Sequence, residues 1–350
     1  MHKEQYNILD ELEELDHLPA IRNLPIQRQR SRHKAYAKPK VPRSGSTILA
    51  ELAEQADDQG SFDFSYNASR HERQWIIDSL GGFYEGQWLE DVLRLLKGGK
   101  EASVYQALVN PSVSLPSPYI AAKVYRPRRF RNLKNDHLYR EGRARLDEDG
   151  IQIIDDRTLH AISQRTDYGR RVMHTSWIEH EYQTMQILHA AGADIPVPYT
   201  RGDNAILMEY IGGPDMPAPT LNTVKLDRQE AGTLFERVLH NVDLMLVNGR
   251  IHGDLSAYNI LYWNGEIKLI DFPQAINPNQ NRSAYLLFKR DIRRLVEYFQ
   301  RQGVKARPNR IAQDLWTSHG HRIRYAPNPA LLDDQDEDDL RHWQRYTHTD

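Results

Sequence analysis

Residues 252–273 constrain the fold of this chain more than any other segment. Asp254 lies in a predicted loop, Asn259 follows five residues later, and Asp271 comes seventeen residues after Asp254. Between Asn259 and Asp271, two short apolar runs flank Asn264-Gly265, and Asn-Gly in that position is a strong β-hairpin signal. The segment therefore predicts a loop, a hairpin and a second carboxylate, and a fold that contains strands as well as helices.

The spacing of these oxygen-bearing side chains suits phosphoryl transfer. Asp254 can position a hydroxyl or water nucleophile, while the amide oxygen of Asn259 and the carboxylate of Asp271 are hard ligands for Mg²⁺. The alternative is a capped turn before an ordinary hairpin, in which His252, Asp254 and Asn259 make only local hydrogen bonds. Residues elsewhere in the chain decide between these two interpretations.

A lysine and a glutamate favour phosphoryl transfer. Lys123 lies in an apolar strand, AAKVY, where a lone lysine is ordinarily a solvated edge residue. Residues 177–191 have helical spacing, and Glu181 shares the apolar face of that helix with Met185, whereas Glu179 points elsewhere. Because an acid on an apolar face needs a partner, we expect Glu181 to pair with a lysine that contacts ATP phosphates, namely Lys123.

Together these segments resemble the RIO family of atypical serine/threonine protein kinases. The D-x4-N and D-F spacing is that of protein kinases, but Gly253 replaces their usual Arg and Pro273 their usual Gly. Ser256 and the D-F-P-Q ending separate RIO proteins from aminoglycoside and choline phosphotransferases, which share only H-G-D-x4-N. The resemblance is carried by GGKEASVY at 98–105, AAKVYR at 121–126, WIEHEYQTMQILHAAG at 177–192, ILMEYIG at 206–212, HGDLSAYNIL at 252–261 and LIDFPQ at 269–274.

The resemblance implies an α+β, two-lobed protein-kinase-like fold. A RIO-type kinase domain would span 71–325, with a small β-rich N-lobe at about 71–211 and a mostly helical C-lobe at about 212–325. No A-P-E motif follows Asp271, and a helix is expected near Ser283. The chain therefore has little room for an ordinary activation loop or for peptide-docking subdomains.

The resemblance also assigns roles residue by residue. Asp254 would be the catalytic base, Asn259 and Asp271 would hold Mg²⁺, and Lys123, supported by Glu181, would bind the phosphates of ATP. In related proteins the aspartate that matches Asp271 can itself accept the phosphoryl group, which would give ATPase turnover through an aspartyl-phosphate. The other expected nucleotide contacts are Gly98 and Gly99 of the phosphate loop, Val104, Ala121, the gatekeeper Met208, and the backbone of Glu209 and Ile211.

Apolar spacing predicts the remaining elements. Trp75, Ile76 and Leu80 have helical spacing, and so do Leu89, Val92, Leu93 and Leu96 further along. Residues 146–170 look like an insertion beyond the usual RIO loop. Strands are expected at 104–109, 121–125, 205–211, 260–263 and 267–270, and helices at 177–191, 234–247 and 292–299.

Polar segments flank the predicted domain. Residues 1–70 form a tail predicted to be disordered, and its stretch 21–43 holds eight Lys or Arg, no acid and three prolines. Residues 326–350 form an acidic C-terminal tail. Residues 126–145 hold eight basic residues against two acids. The two basic segments would either contact RNA or the small ribosomal subunit, as the resemblance implies, or be a linker and a solvated loop.

Composition limits the remaining functions. The formal net charge is −2, and the absence of Cys excludes a thiol nucleophile and cysteine-ligated metals. No apolar run reaches membrane-spanning length, so we expect a soluble, cytoplasmic protein without membrane contact. Three functions stay open: an ATP- and Mg²⁺-dependent serine/threonine protein kinase or ATPase, an ATP-switched ribosome-assembly or RNA-associated factor with slow catalysis, and a small-molecule phosphotransferase. The RIO-specific residues argue against the last.

Overall fold

The computed structural model describes residues 62–99, 101–126, 139, 141–147 and 149–323. All the elements named below belong to one compact unit, which begins at Asp63. The predicted basic stretch 21–43, the acidic tail 326–350 and most of the basic segment 126–145 lie outside the described residues. The predictions made for these segments therefore stay predictions.

An antiparallel sheet forms the core of the N-lobe. Helix α1 (Arg70–Glu85) precedes it and begins after Ser69, whose hydroxyl accepts a hydrogen bond from the backbone N–H of Glu72. The five strands lie in the order β1-β2-β3-β5-β4. They are β1 (Leu89–Gly98), β2 (Ala102–Val109), β3 (Tyr119–Tyr125), β4 (Pro198–Arg201) and β5 (Ala205–Glu209).

In the described residues between β3 and β4, the chain forms two helices. Helix α2 (Asp156–Ser163) lies within the predicted insertion, and α3 (Asp167–Ala190) follows it. The sequence predicts that α3 begins at Trp177, but it begins ten residues earlier, after Thr166, whose side chain caps the N–H of Gly169. This cap, and not the start of the apolar stripe, sets the first turn of the helix.

The C-lobe is mostly helical. Helix α4 (Arg228–Val247) leads to the predicted hairpin of β6 (Ile260–Trp263) and β7 (Glu266–Leu269), and then come α5 (Ala284–Arg301) and α6 (Pro308–Ser318). One continuous apolar core joins Ala121 and Met208 of the sheet to α4 and α5. The two-lobed α+β prediction is confirmed. Only residues 272–283 separate Asp271 from α5, so this stretch is short, as predicted.

The helical spacing at residues 89–96 is misleading, because this segment is strand β1. The register between β1 and β2 shifts between Leu89 and Asp91, again between Val92 and Arg94, and a third time between Leu95 and Lys97. Each such bulge adds a residue to one strand and breaks the two-residue alternation. The apolar side chains therefore recur at a spacing that looks helical although the backbone is extended.

Three further segments depart from the sequence analysis. Residues 63–69 were assigned to the N-terminal tail, yet the N–H of Tyr66 donates to the carbonyl oxygen of Val92 at 2.9 Å. Strand β4 and helix α6 were missed. Strand β4 has only four residues, all half-buried, and carries no alternation.

No helix in the described part of the chain has the length and hydropathy that a membrane span requires.

Candidate active site

A cluster of charges lies where β3, α3 and the end of the hairpin meet; Lys123 and Glu181 are buried, and the side chain of Asp271 is 40% exposed. The Nζ of Lys123 is 2.6 Å from Glu181 Oε1 and 2.6 Å from Asp271 Oδ1. Lys123 is 7% exposed and Glu181 is 1% exposed. The sequence prediction that Glu181 pairs with Lys123 is confirmed in the structure. The ammonium of Lys123 thus lies between two carboxylates, and the buried Glu181 has the partner that its burial requires.

Glu181 also receives two further hydrogen bonds. The hydroxyl of Tyr125 donates to its Oε2 at 2.6 Å, and the backbone N–H of Phe272 donates to its Oε1 at 3.2 Å. The carboxylate therefore joins β3, α3 and the segment that follows Asp271. Glu179, two residues earlier, is predicted to lie off the apolar face that Glu181 shares with Met185. In the structure its carboxylate pairs with Arg201 of β4.

The pKa values in this cluster follow from its charges. Burial would lower the pKa of Lys123, but the attraction of Asp271 and Glu181 outweighs it and the pKa is raised. Burial would raise the pKa of Asp271, but the charge and hydrogen bond of Lys123 hold it below the usual value. Both groups are therefore charged at neutral pH. Asp271 also has a left-handed backbone, with φ of 76°, a conformation that non-glycine residues rarely adopt.

The loop that carries Asp254 is held by hydrogen bonds on both sides. The Nε2 of His252 lies 3.1 Å from the carbonyl oxygen of Ile270, and the N–H of Asp254 donates to its Nδ1 at 3.3 Å. In this arrangement Nδ1 accepts a hydrogen bond, and Nε2 faces a carbonyl oxygen to which an N–H at that position would donate. The Nδ2 of Asn259 donates to the backbone oxygen of Asp254 at 2.9 Å, which leaves the amide oxygen of Asn259 for another partner.

Helix α5 contacts this loop at three positions. The Oδ2 of Asp291 accepts from the N–H of Gly253 at 2.9 Å, and Arg290 donates to the Gly253 carbonyl. One turn further on, Arg294 Nη1 lies 2.8 Å from Asp254 Oδ1. Burial raises the pKa of Asp291 more than the adjacent Arg290 lowers it. The helix thus fixes the backbone of the loop and the side chain of the predicted base.

The stretch after Asp271 is supported from α3 and from residues 141–147. The Nε2 of His180 is 2.8 Å from the carbonyl oxygen of Ala275. Arg143 donates to the carbonyl oxygens of Pro273 and Ala275 at 2.9 Å each. The pKa of His180 is lowered to about 3 by burial and by the nearby charge of Arg143, although its bond to Ala275 opposes this.

The remaining predicted nucleotide contacts lie on the strands of the N-lobe sheet or directly after them. Gly98 ends β1, and Gly99 begins the turn to β2, where an added Cβ would lie 2.9 Å from the carbonyl oxygen of Ala102. Across the sheet, Val104 pairs with Lys123 and Ala121 with Met208. Glu209 ends β5, and Ile211 follows it. The N–H of Glu209 donates to Val197, and the carbonyl of Ile211 accepts from Ala218.

Sequence reasoning missed the supporting residues on α5 and α3. Asp291 is 2% exposed and lies at helical spacing from the apolar Leu287, Phe288 and Leu295, so it carries the same signal of an acid on an apolar helix face that identified Glu181. Arg294 and His180 give no such signal, because an arginine or histidine on a half-buried helix face is ordinary. Their roles depend on what the fold places opposite them.

A sequence profile described as the RIO domain matches residues 137–311. The chain therefore belongs to the RIO family. The match begins after β3, so Lys123 and strands β1 to β3 lie before it. Their assignment depends on the contacts of Lys123 with Glu181 and Asp271.

Two archaeal proteins named RIO-type serine/threonine-protein kinase Rio1 are similar to this chain. The one from Haloferax volcanii is 29% identical over 210 residues, which cover 59% of this chain and 63% of that protein. The one from Thermoplasma acidophilum is 31% identical over 137 residues, or 39% of this chain and 70% of that protein. The human serine/threonine-protein kinase RIO3 is 33% identical over 130 residues, which cover 37% of this chain but only 25% of RIO3.

Among solved structures, the crystal structure of the Rio2 kinase from Chaetomium thermophilum aligns with 86% of this chain and 87% of that chain. The TM-score is 0.49 at 17% sequence identity.

Proposed function

We propose that this protein transfers the γ-phosphoryl group of ATP, with Mg²⁺, to serine or threonine hydroxyls of protein, including its own. The observation that carries the proposal is the Lys123–Glu181–Asp271 cluster beside the loop of Asp254 and Asn259. Phosphoryl transfer needs a cation on the phosphates, two oxygen ligands for Mg²⁺ and a carboxylate at the nucleophile. Membership of the RIO family supports the same chemistry.

The oxygen atoms needed for Mg²⁺ are free of the contacts described above. Lys123 occupies Oδ1 of Asp271, which leaves Oδ2. Asn259 uses its Nδ2 on the backbone of Asp254, which turns its amide oxygen to the other side. A carboxylate and an amide oxygen are hard ligands of the kind Mg²⁺ takes. Asn259 and Asp271 therefore fit the ion, which when bound would neutralise phosphate charge.

The backbone of residues 209–211, called the hinge here, can hydrogen-bond to the edge of adenine through one acceptor and one donor. Because the N–H of Glu209 is engaged by Val197, an adenine contact at this residue would use its carbonyl oxygen. Because the carbonyl of Ile211 is engaged by Ala218, a contact there would use its N–H. Val104, Ala121 and Met208 would supply the apolar surface against the base. Gly98 and Gly99 would allow the backbone to approach the phosphates.

The decisive experiment follows released phosphate and protein-bound label with γ-labelled ATP and Mg²⁺. We expect an acid-stable label on Ser or Thr that falls by about 10²–10⁴-fold in Asp254→Ala, the usual loss when a general base is removed. Asp203→Asn, a change on the exposed β4–β5 turn, is the matched control and should label like wild type.

Two results would contradict the proposal. Wild-type labelling that survives Asp254→Ala would remove Asp254 from the chemistry. A label that hydroxylamine removes, that is absent from Asp271→Asn and that accompanies continuous phosphate release would mean turnover through an aspartyl-phosphate on Asp271 instead of transfer to Ser or Thr. Contact with ribosomes or RNA through residues 21–43 or 126–145 stays a prediction for these segments.

A further inference from the structure

An arginine touches the side chain of the proposed base. Arg294 Nη1 and Asp254 Oδ1 are 2.8 Å apart, and the two side chains are 40% and 43% exposed. Ion pairs that are this exposed contribute little to stability, typically about 0.2–1 kcal/mol. The contact is therefore poorly explained as a fold-stabilising pair, and its position at Asp254 calls for a chemical explanation.

The exposure of α5 shows that Arg294 does not belong to the helix core. The residues of α5 that are not buried recur on one stripe, at 290, 293, 294, 297, 300 and 301. Arg290 is committed to the Gly253 carbonyl and Tyr139, and Arg293 lies 3.7 Å from Glu297. Arg294 thus extends from the solvent-facing stripe to the loop of Asp254.

The acceptor side of the site has no other cation in its own loop. Between Asp254 and Asn259 the chain reads Leu255, Ser256, Ala257 and Tyr258, none of them basic. Lys123 is bound by Glu181 and Asp271, on the side where the phosphates of ATP would enter. As the phosphoryl group leaves ATP, negative charge spreads over its equatorial oxygens and must be stabilised at the acceptor side as well.

Arg294 is connected to the site of that phosphoryl charge through Asp254. An acceptor hydroxyl hydrogen-bonded to Asp254 would lie at attacking distance from the γ-phosphorus, and Arg294 touches the same carboxylate. A guanidinium carries five N–H donors in a planar fork, so one Nη can stay on Asp254 while the other meets a phosphoryl oxygen. The weak ion pair lets it share its donors in this way.

We propose that Arg294 is a catalytic residue that stabilises the transferring phosphoryl group, an inference that rests on the proposed function. The acceptor oxygen forms a bond to the γ-phosphorus as the bond to the β–γ bridging oxygen breaks, and that electron pair leaves on ADP. The hydroxyl proton passes to Oδ2 of Asp254. Arg294 stays charged throughout, bound to Asp254 Oδ1 and to one phosphoryl oxygen.

The test compares Arg294→Ala and Arg294→Lys with wild type in label transfer and phosphate release at saturating ATP. Removing one preorganised charge stabiliser should lower kcat of Arg294→Ala by about 10²-fold while KM for ATP changes little. Arg294→Lys should keep more activity, and added guanidinium should restore part of the loss in Arg294→Ala. Arg301→Ala, on the same stripe two turns away, is the control. It should have the kcat of wild type, and added guanidinium should not change its activity.

A second background separates action on phosphate from the positioning of Asp254. In Asp254→Asn, removal of Arg294 should cost the same factor as in wild type if Arg294 acts on the phosphoryl group. The proposal would be overturned if removal of Arg294 caused no further loss of activity in the Asp254→Asn background. It would also be overturned if Arg294→Ala had the kcat of wild type, or if guanidinium failed to restore its activity. If wild type labels no Ser or Thr, the proposed function fails, yet phosphate release still measures the Arg294 effect, because a water nucleophile needs the same stabilisation.

Discussion

His180 connects protonation to the segment that follows Asp271. In the folded protein the pKa of this histidine is about 3, compared with 6.5 for an unperturbed side chain. The unfolded chain therefore takes up a proton near pH 6.5 that the folded chain does not accept until about pH 3. The contribution of neutral His180 to stability is complete above pH 6.5 and is lost as the pH falls towards 3.

We expect this histidine to make unfolding strongly pH-dependent. Between pH 7 and pH 5 it should remove about 2 kcal/mol from the free energy of unfolding of wild type. His180→Gln keeps a donor for the Ala275 carbonyl but does not titrate, so it should lose about 2 kcal/mol less over the same range. Denaturant unfolding at the two pH values measures this.

His189→Gln is the matched control, because His189 is exposed at the end of the same helix. It should keep the pH dependence of wild type. If His180→Gln and wild type lose equal stability between pH 7 and pH 5, then His180 is not held neutral in the folded state.

At the scale of single residues, the sequence identifies the charged cluster but not its geometry. The pairing of Lys123 with Glu181 follows from a lysine in an apolar strand and an acid on an apolar helix face. The left-handed backbone of Asp271 does not follow, since no local signal marks an aspartate for that conformation. Arg294 reaches Asp254 across 40 residues of chain, and only the packing of α5 on the loop brings them together.

Among the elements, the loop of Asp254 and the stretch after Asp271 are packed backbone to backbone. Gly253 has φ of 80°, and a Cβ there would overlap the carbonyl oxygen of Gln274. This close approach explains why glycine stands where protein kinases commonly have arginine. A larger residue at 253 would push apart the loop that carries Asp254 and the segment that follows Asp271.

Gly253→Ala should therefore damage activity more than stability alone explains. Gly265 in the hairpin has φ of 83° but no atom within 4 Å of an added Cβ, so Gly265→Ala isolates the backbone cost of about 1–2 kcal/mol. We expect Gly265→Ala to keep its ATP turnover, whereas displacement of the loop should cost Gly253→Ala about 10²-fold in kcat. Equal turnover of the two variants would show that the loop absorbs the Cβ.

Element prediction succeeded where the pattern was regular. The hairpin follows from Asn264-Gly265, and β3 follows from the apolar residues around Lys123. Apolar spacing predicts α5 only at 292–299, because Lys289, Arg290 and Asp291 interrupt the apolar run, whereas the helix begins eight residues earlier, at Ala284. Strand β1 was mistaken for a helix because three register shifts disturb its alternation. The first ten residues of α3 carry too few apolar side chains to predict a helix, and the cap at Thr166 was not recognised. These are local irregularities that only pairing with β2 or packing against α2 reveals.

At the scale of the whole molecule, the continuous core decides how the lobes respond to a ligand. Ala121 and Met208 of the N-lobe are proposed nucleotide contacts, and they pack in the same apolar cluster as the helices of the C-lobe. A ligand bound there should stabilise both lobes together and raise one unfolding transition. Binding to the folded state alone adds RT ln(1 + [L]/Kd) to the stability.

With ATP and Mg²⁺ at one hundred times Kd, this amounts to about 2.7 kcal/mol, or roughly 5–10 °C in Tm for a domain of this size. We expect Asp271→Asn to keep some shift with ATP but to lose the additional shift from Mg²⁺, because it lacks the carboxylate ligand. Thermal melts with ATP, with Mg²⁺ and with both measure this. An Mg²⁺ increment that persists in Asp271→Asn would place the ion on other ligands.

The hydrogen bonds that meet at Glu181 also set how this chain can diverge. One carboxylate receives the ammonium of Lys123, the hydroxyl of Tyr125 and the N–H of Phe272. A substitution at any of these positions changes the hydrogen-bond demand on the others, so we expect their effects on stability to be non-additive. Positions nearly 150 residues apart in the chain are therefore expected to constrain one another's substitutions.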